Sequence, residues 1–444
     1  MSAVVNVLAS LTRIFEELKA TRLWRNFRVV FSANVLSQAL LILVSPLLAR
    51  LYSPTDFGVL SVYTSLVTLA AAFATLRFDW LVPNGATDRE GAALFAAGAV
   101  TLASMVALLA ALLAVPQFNA QITQITQTQY AILLDYIYLL PLGILGFSGH
   151  QLFQSWYVRR ANLYPVSRTK IMQSGGNAFG SVVFGFANMG ALGVVLAHLG
   201  ASWLGISVLV RHARDLLAEF WTLSGRFVLR IAWRWRYSAL LSTFVSCVNT
   251  ASSMAMFLLL ALVYPVESVG LFAFTHKLVA APLGTIAQAL SQSFWAHAAT
   301  LTRAGNYRTI QSDFLKLSKL LGAFAAVMVA ACFAMAPLFE VIFGQEWAAM
   351  GTVLICMAPL IVGLVVVSPT NHLVVLNRQG LQLFADLLRL VLVSGAVWLA
   401  MVLDWDFPLA ILGMSVGSLL GHAVLFLIQI AVHRQLVHKQ ETDR

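Results

Sequence analysis

Mostly apolar stretches recur along this 444-residue chain at 28–50, 58–76, 91–115, 130–152, 171–187, 190–210, 237–263, 268–295, 319–340, 348–373, 383–403 and 407–432. Most reach the ~20 residues a helix needs to cross ~30 Å of hydrocarbon. The polar gaps between them alternate in charge. One set holds Arg13, Lys19, Arg22, Arg25 and Arg28; Arg77 and Arg89; Arg159, Arg160, Arg168 and Lys170; Arg211, Arg214, Arg226, Arg230, Arg234 and Arg236. It continues with Arg303, Arg308, Lys316 and Lys319, then Arg378, then Arg434, Lys439 and Arg444, making 25 of the 28 basic residues. The opposite set, around Ser53–Phe57, Pro116–Gln129, Asn188–Gly190, Tyr264–Glu267, Val341–Trp347 and Asp404–Asp406, holds none. The positive-inside rule then places both termini in the cytoplasm. A miscounted helix would scramble the alternation, so the pattern supports twelve spans.

Composition agrees. With 60% hydrophobic and 10% charged residues, an ordinary soluble domain is excluded. The net charge of +10 flanks the spans instead of forming one patch, so it reads as topology signal beside anionic lipid and not as a nucleic-acid surface. Trp233-Arg234-Trp235-Arg236 fits an interfacial anchor. Cys247, Cys332 and Cys356 fall inside predicted spans without metal-ligand spacing. At the start of the chain, Val4, Val7, Leu8, Leu11, Ile14, Phe15 and Leu18 recur at helical spacing among Arg13, Glu16, Glu17 and Lys19. Residues 1–27 are therefore expected to lie on the cytoplasmic surface and not to be a cleaved signal.

The chain repeats itself. Leu47–Gly58 (LLARLYSPTDFG) is echoed by Leu259–Gly270 (LLALVYPVESVG) at an offset of 212, and Leu66-Val67 by Leu278-Val279 at the same offset. A second echo joins Pro141-Leu142, Arg160 and Leu163 to Pro359-Leu360, Arg378 and Leu381 at an offset of 218. The expected organisation is a six-helix lobe at 28–210, a cytoplasmic linker at 211–236, a second six-helix lobe at 237–432 and a tail at 433–444. An even number of spans per repeat gives both halves the same orientation, with a substrate cleft expected at their interface. The fold class is an all-α polytopic membrane protein built from two parallel repeats.

Polar groups inside the spans are the candidates for chemistry. Asn34, Ser37 and Gln38 share one helical face, and adding 212 gives Ser246, Asn249 and Thr250 on the equivalent face of span seven. Such residues either bond neighbouring helices or line the cleft. Three cations fall outside the alternating set. Arg50 can snorkel at the outer end of span one. Arg389 sits one turn from Asp386, within reach of an ion pair. Lys277 follows His276 in span eight with no carboxylate three or four residues away. A charge at that depth costs roughly 3 kcal/mol and usually faces a polar pathway. Lys277, with His276 beside it, is thus the leading substrate contact. His150, His198, His372 and His422 read as packing residues, and Pro46, Pro141, Pro282, Pro359 and Pro369 as kinks.

The chain contains no G-x-x-x-x-G-K-[ST] and no H-E-x-x-H. With no large outer loop to hold catalytic groups, a membrane glycosyltransferase or ligase is disfavoured. The stretch Leu48–Gly58 (LARLYSPTDFG), continuing to Leu76-Arg77-Phe78-Asp79, resembles the signature of bacterial polysaccharide flippases. These are the Wzx-type O-antigen and capsule transporters of the multidrug/oligosaccharidyl-lipid/polysaccharide (MOP) exporter superfamily. The resemblance implies a two-lobed MATE/MOP-like transporter in the bacterial inner membrane. It implies movement of an undecaprenyl-diphosphate-linked oligosaccharide by alternating access of a cationic cavity, with no enzymatic step. The expected partners are that substrate, the bilayer, and a polysaccharide polymerase with its chain-length machinery. No cofactor is called for, and the residues leave coupling to protons or sodium open. A peptidoglycan-precursor flippase is a close alternative. A cation-coupled multidrug exporter is disfavoured because the interiors of spans one and seven lack Asp and Glu.

Overall fold

The computed structural model describes residues 22–116, 136–160, 162–303, 305–368, 370, 373, 376 and 378–442. Every regular element among them is a helix, and none is a strand. The expected surface segment before residue 22, the outer loop at 117–129, Pro369 and His372 lie outside the described residues. Helices α1 (Arg22–Leu51), α2 (Pro54–Ala74), α3 (Asp88–Leu113), α4 (Leu140–Arg159), α5 (Tyr164–Phe186), α6 (Gly190–His212) and α7 (Gly225–Val263) overlap the first seven expected spans, with α4 reaching seven residues past the end of span four and α5 and α7 beginning before spans five and seven. Span eight is broken into α8 (Val266–Leu278) and α9 (Ala280–Arg303). Then come α10 (Tyr307–Met335), the pair α11 (Met350–Cys356) and α12 (Ala358–Val366), α13 (Gln379–Val402) and α14 (Phe407–Thr442). Among the described residues nine helical stretches are long and apolar enough to cross a membrane, Val266–Gln288 across the α8/α9 break among them, and Gln345–Cys356 with Ala358–Val366 forms a further span bent by 51°. The chain is a multi-pass membrane protein.

Local chemistry sets the breaks. Ser53 caps α2: its backbone N–H and hydroxyl donate to Asp56 Oδ2 at 2.8 and 2.9 Å, and its hydroxyl oxygen accepts from the Asp56 N–H. With Pro54 in the first turn, this reciprocal box satisfies donors that a helix start otherwise leaves open. Pro282 and Pro359 lie just past the breaks in spans eight and ten, where a missing N–H removes a helical bond. Pro46 lies inside α1. Pro141 behaves differently from the expected kink: it occupies the first turn of α4 and starts the helix. The linker at 211–236 contains the short helix Arg214–Trp221 and the opening turns of α7.

Packing divides the chain into two compact units, one of Ala33–Phe274 with Ile342–Trp347, the other of the remainder. Span seven thus falls in one unit with the spans before it, whereas the 212-residue echo pairs it with span one. In the first unit, α2 lies against α4, α6 and α7. At the basic ends of these helices, Trp156, Leu209, Leu216, Leu94 and Val82 form a core with Phe78 and Ile231. At the opposite ends, where the connections lack Lys and Arg, rings gather instead. Phe57 stacks on Phe274 at 4.4 Å and Trp347 on Phe274 at 4.7 Å, while Trp347 Nε1 donates to the Ala49 carbonyl at 2.9 Å.

The repeat is visible in this end of the unit. A Cβ on Gly58 would strike the Val266 carbonyl, and a Cβ on Gly270 would strike the Pro54 carbonyl. Both pairs, Gly58/Gly270 and Pro54/Val266, are 212 residues apart. Repeat-related residues therefore meet reciprocally, as a local twofold axis demands, and only glycine allows the backbones so close. In the second unit, α12 packs on α10 and α14, and α13 on α14. Phe314 stacks there with Phe426 at 5.3 Å and His433 at 5.1 Å.

Candidate functional site

Span one carries its polar stripe into contact with a cation. Lys170 Nζ donates to Asn34 Oδ1 at 2.9 Å, and the Ser37 hydroxyl donates to the Lys170 carbonyl at 3.4 Å. Gln38, one residue further on, is half-buried like Asn34 and Ser37. Lys170 sits six residues into α5, so at ~1.5 Å rise per residue it lies roughly 9 Å inside the helix. The charge alternation places it in the basic gap before span five. Pro165 in the first turn was the signal that the helix begins earlier. His150 of α4, read as a packing residue, bonds through Nε2 with Thr169 Oγ1 at 3.2 Å.

Span seven's stripe behaves differently. Ser246 is buried, Thr250 half-buried and Asn249 exposed. Ser246 Oγ accepts from both Nε, at 2.7 Å, and Nη2 of Arg77. Arg77 also pairs with Asp79, with Nη1 3.6 Å from Oδ2, and its guanidinium lies 4.7 Å from the Trp80 ring. Thr75 Oγ1 donates to Asp79 Oδ1 at 2.5 Å. Burial pulls the Arg77 guanidinium below its ordinary value, and the Asp79 charge opposes that shift. The turn holding this group is strained: Leu76 and Arg77 have φ of 46° and 54°, left-handed values costly for side chains with a Cβ. The charge alternation alone makes Arg77 a topology marker, yet it belongs to the Leu76–Asp79 signature.

Nearby, Arg159 donates to the Gly85 carbonyl at 2.6 Å and pairs with Asp88 at 3.1 Å. Arg160 joins Asp88 to Asp215 of the linker helix at 3.0 and 3.1 Å, and Trp235 Nε1 donates to Glu90 Oε1 at 2.9 Å. These contacts fix the linker onto the basic end of the first unit.

In the second unit, His276 and Lys277 are half-buried in the last turn of α8, beside the break that Pro282 follows. Arg389 makes the expected ion pair with Asp386 at 3.3 Å. It also reaches His422, with Nη1 3.3 Å from Nε2, while His422 Nδ1 lies 2.8 Å from the Ser418 carbonyl. A ring that donates from Nδ1 has a lone pair on Nε2 to accept from arginine. Gly421 and Gly363 leave room, since a Cβ there would lie 2.6 Å from Arg389 Cβ and 2.9 Å from His422 Nδ1. Arg50 is exposed in the last turn of α1. Among the described residues no three His, Cys, Asp or Glu side chains are grouped to hold a metal.

The family model described as "Polysaccharide biosynthesis protein" matches residues 47–352, well over half of the chain. This chain belongs to the polysaccharide biosynthesis protein family. No curated protein matches it in sequence. Among solved structures, an inward-facing multidrug resistance MATE transporter of the MOP superfamily superposes with a TM-score of 0.69 at 15% identity, covering 91% of this chain and 96% of that one. The lipid II flippase MurJ, in an inward closed conformation, gives 0.65 at 12% identity, covering 93% and 91%. A MOP superfamily transporter from Pyrococcus furiosus, described as having a binding pocket of reverse polarity, gives 0.61 at 15% identity, covering 93% and 96%. At these identities the likeness establishes the fold: this chain has the all-helical fold of MATE and MurJ transporters.

Proposed function

We propose that this protein translocates a lipid-linked oligosaccharide, carried on a polyprenyl diphosphate, across the bacterial cytoplasmic membrane for assembly of a surface polysaccharide. The observation that carries this reading is the match of the polysaccharide biosynthesis model to a chain with a MOP-type fold and cations inside its spans. An arrangement of this kind does no bond-making. It offers cations to an anionic headgroup, and charge-assisted hydrogen bonds to phosphate are the strong ones. Lys277 is the leading contact, because a lysine inside an apolar span is kept there against its insertion cost. Alternating exposure of these groups to the two membrane faces would move the headgroup, with both termini cytoplasmic. O-antigen, capsule and exopolysaccharide precursors all fit this description, and a polymerase would receive the product.

Loss of the protein should make lipid-linked saccharide accumulate in the inner leaflet and remove the finished surface polymer, without sensitising cells to cationic dyes. Lys277→Ala at wild-type protein level should reproduce that loss, while Lys277→Arg keeps part of the activity because the charge survives with altered donor geometry. Normal polymer with reduced dye efflux would overturn this reading in favour of a drug exporter.

A further inference from the structure

The buried and half-buried cations of the first unit differ in what neutralises them. Arg77 has Asp79 at 3.6 Å and Arg159 has Asp88 at 3.1 Å. In the second unit, Arg389 likewise has Asp386 at 3.3 Å. Lys170 has no carboxylate within ion-pair distance among the described residues; it donates to the neutral amide of Asn34 at 2.9 Å. One of the three ammonium N–H groups is thereby aimed, and the other two are left for a further acceptor. Around it stand Ser37 and, through Thr169, His150, all without negative charge. A half-buried cation oriented by a neutral dipole keeps donors free for an anion, and intramembrane charges of this kind usually face a polar pathway.

We propose that Lys170, oriented by Asn34, is an anion-binding position that takes a lipid-borne phosphate. Lys170 lies six residues into α5, whose first residues carry the basic gap before span five, the side on which anionic lipid headgroups are expected to gather. Lysine suits phosphate as a point charge with rotatable donors, and Asn34 fixes where that charge points. The phosphate has two sources, the diphosphate of the transported lipid or an anionic phospholipid of the leaflet. The first rests on the function proposed above; the second does not.

The test uses the purified full chain in nanodiscs, with bound lipid counted by native mass spectrometry. The probes are a short-chain polyprenyl diphosphate, the corresponding polyprenol, and phosphatidylglycerol. Lys170→Gln should weaken diphosphate binding roughly tenfold or more, as expected for a charged hydrogen bond, while leaving polyprenol unaffected. Asn34→Asp is the sharper variant. It places a carboxylate on Lys170, so it should keep the protein folded and abolish binding, with Asn34→Gln much milder. If phosphatidylglycerol displaces the diphosphate and is itself lost with Lys170→Gln, the anion site stands and accepts a leaflet lipid as well as the diphosphate. If only the diphosphate binds, the occupant is the carried substrate. Undiminished binding of both phosphates by folded Lys170→Gln and Asn34→Asp would overturn the proposal. Because binding is read without transport, failure of the flippase assay would not mimic that result.

Discussion

Asn34 and Ser246 occupy equivalent places in the two repeats, 212 residues apart, and each accepts a hydrogen bond from a cation of the first repeat. The resemblance stops there. At Ser246 the cation is Arg77, which arrives from a strained turn together with Asp79 and Thr75 and is closed off by them. At Asn34 the cation is Lys170, which arrives on a regular helix and meets a neutral amide. A fold that needs a buried cation for structure supplies its counter-charge from the same chain, because an unpaired charge in a low-dielectric interior is destabilising. A fold that needs the cation for a ligand withholds the carboxylate. The Arg77 corner is therefore read as a latch between the Leu76–Asp79 signature and span seven, and the Lys170 corner as an open binding position.

The largest effect should come from orphaning the latch. Asp79→Asn leaves a buried guanidinium against an amide and should cost about 3–5 kcal/mol of stability. It should be read as a lower thermal unfolding midpoint or loss of folded protein in detergent. The double variant Arg77→Gln/Asp79→Asn should recover much of that loss, since the penalty belongs to the charge left behind. An Asp79→Asn protein as stable as wild type would break the contrast between the two corners. Next in size is Ser246→Ala, which removes the acceptor shared by two Arg77 donors. Hydrogen bonds to charged groups contribute about 1.5–3 kcal/mol, and a shift of that order in the unfolding free energy is expected. At the open corner, Lys170→Gln should leave stability intact while anion binding falls, the reverse of the latch.

Why the two corners were unequally legible follows from what each depends on. The spans, their alternation and the repeat rest on hydrophobic runs and charge placement, which are written directly along the chain. The Ser53–Asp56 box and Pro54 likewise announce the start of α2 by local spacing. The polar stripes were also readable, because i, i+3, i+4 spacing puts Asn34, Ser37 and Gln38 on one face. Their partners were not, since Lys170 and Arg77 approach from 136 and 169 residues away. The charge alternation counts both cations as topology markers, because a lysine nearly two turns inside a helix and an arginine in a turn look alike along the sequence. His422 was missed for the same reason: its bond to Arg389 spans 33 residues and depends on how α13 packs on α14. Reciprocal packing of Gly58 and Gly270, by contrast, follows from the repeat once the twofold is accepted.

The smallest effect is expected at Arg50, and it sharpens the comparison from the other side. Arg50 shares the sign of Arg77 and Lys170 and lies in the same unit, yet its side chain is exposed in the last turn of α1. A cation there interacts favourably with the carbonyl end of the helix and stays solvated, contributions that are weak and screened by salt. It needs neither a carboxylate, as Arg77 does, nor a ligand, as Lys170 does. Arg50→Gln should therefore change the unfolding free energy by no more than about 0.5 kcal/mol and leave transport and anion binding unaltered. The measurement pairs thermal unfolding with the surface-polymer assay on the same variant. If Arg50→Gln kept its stability but lost transport, exposure would be a poor guide to which cations serve the substrate. The pathway would then have to reach the outer end of span one, where Arg50 and the Ser53 turn meet.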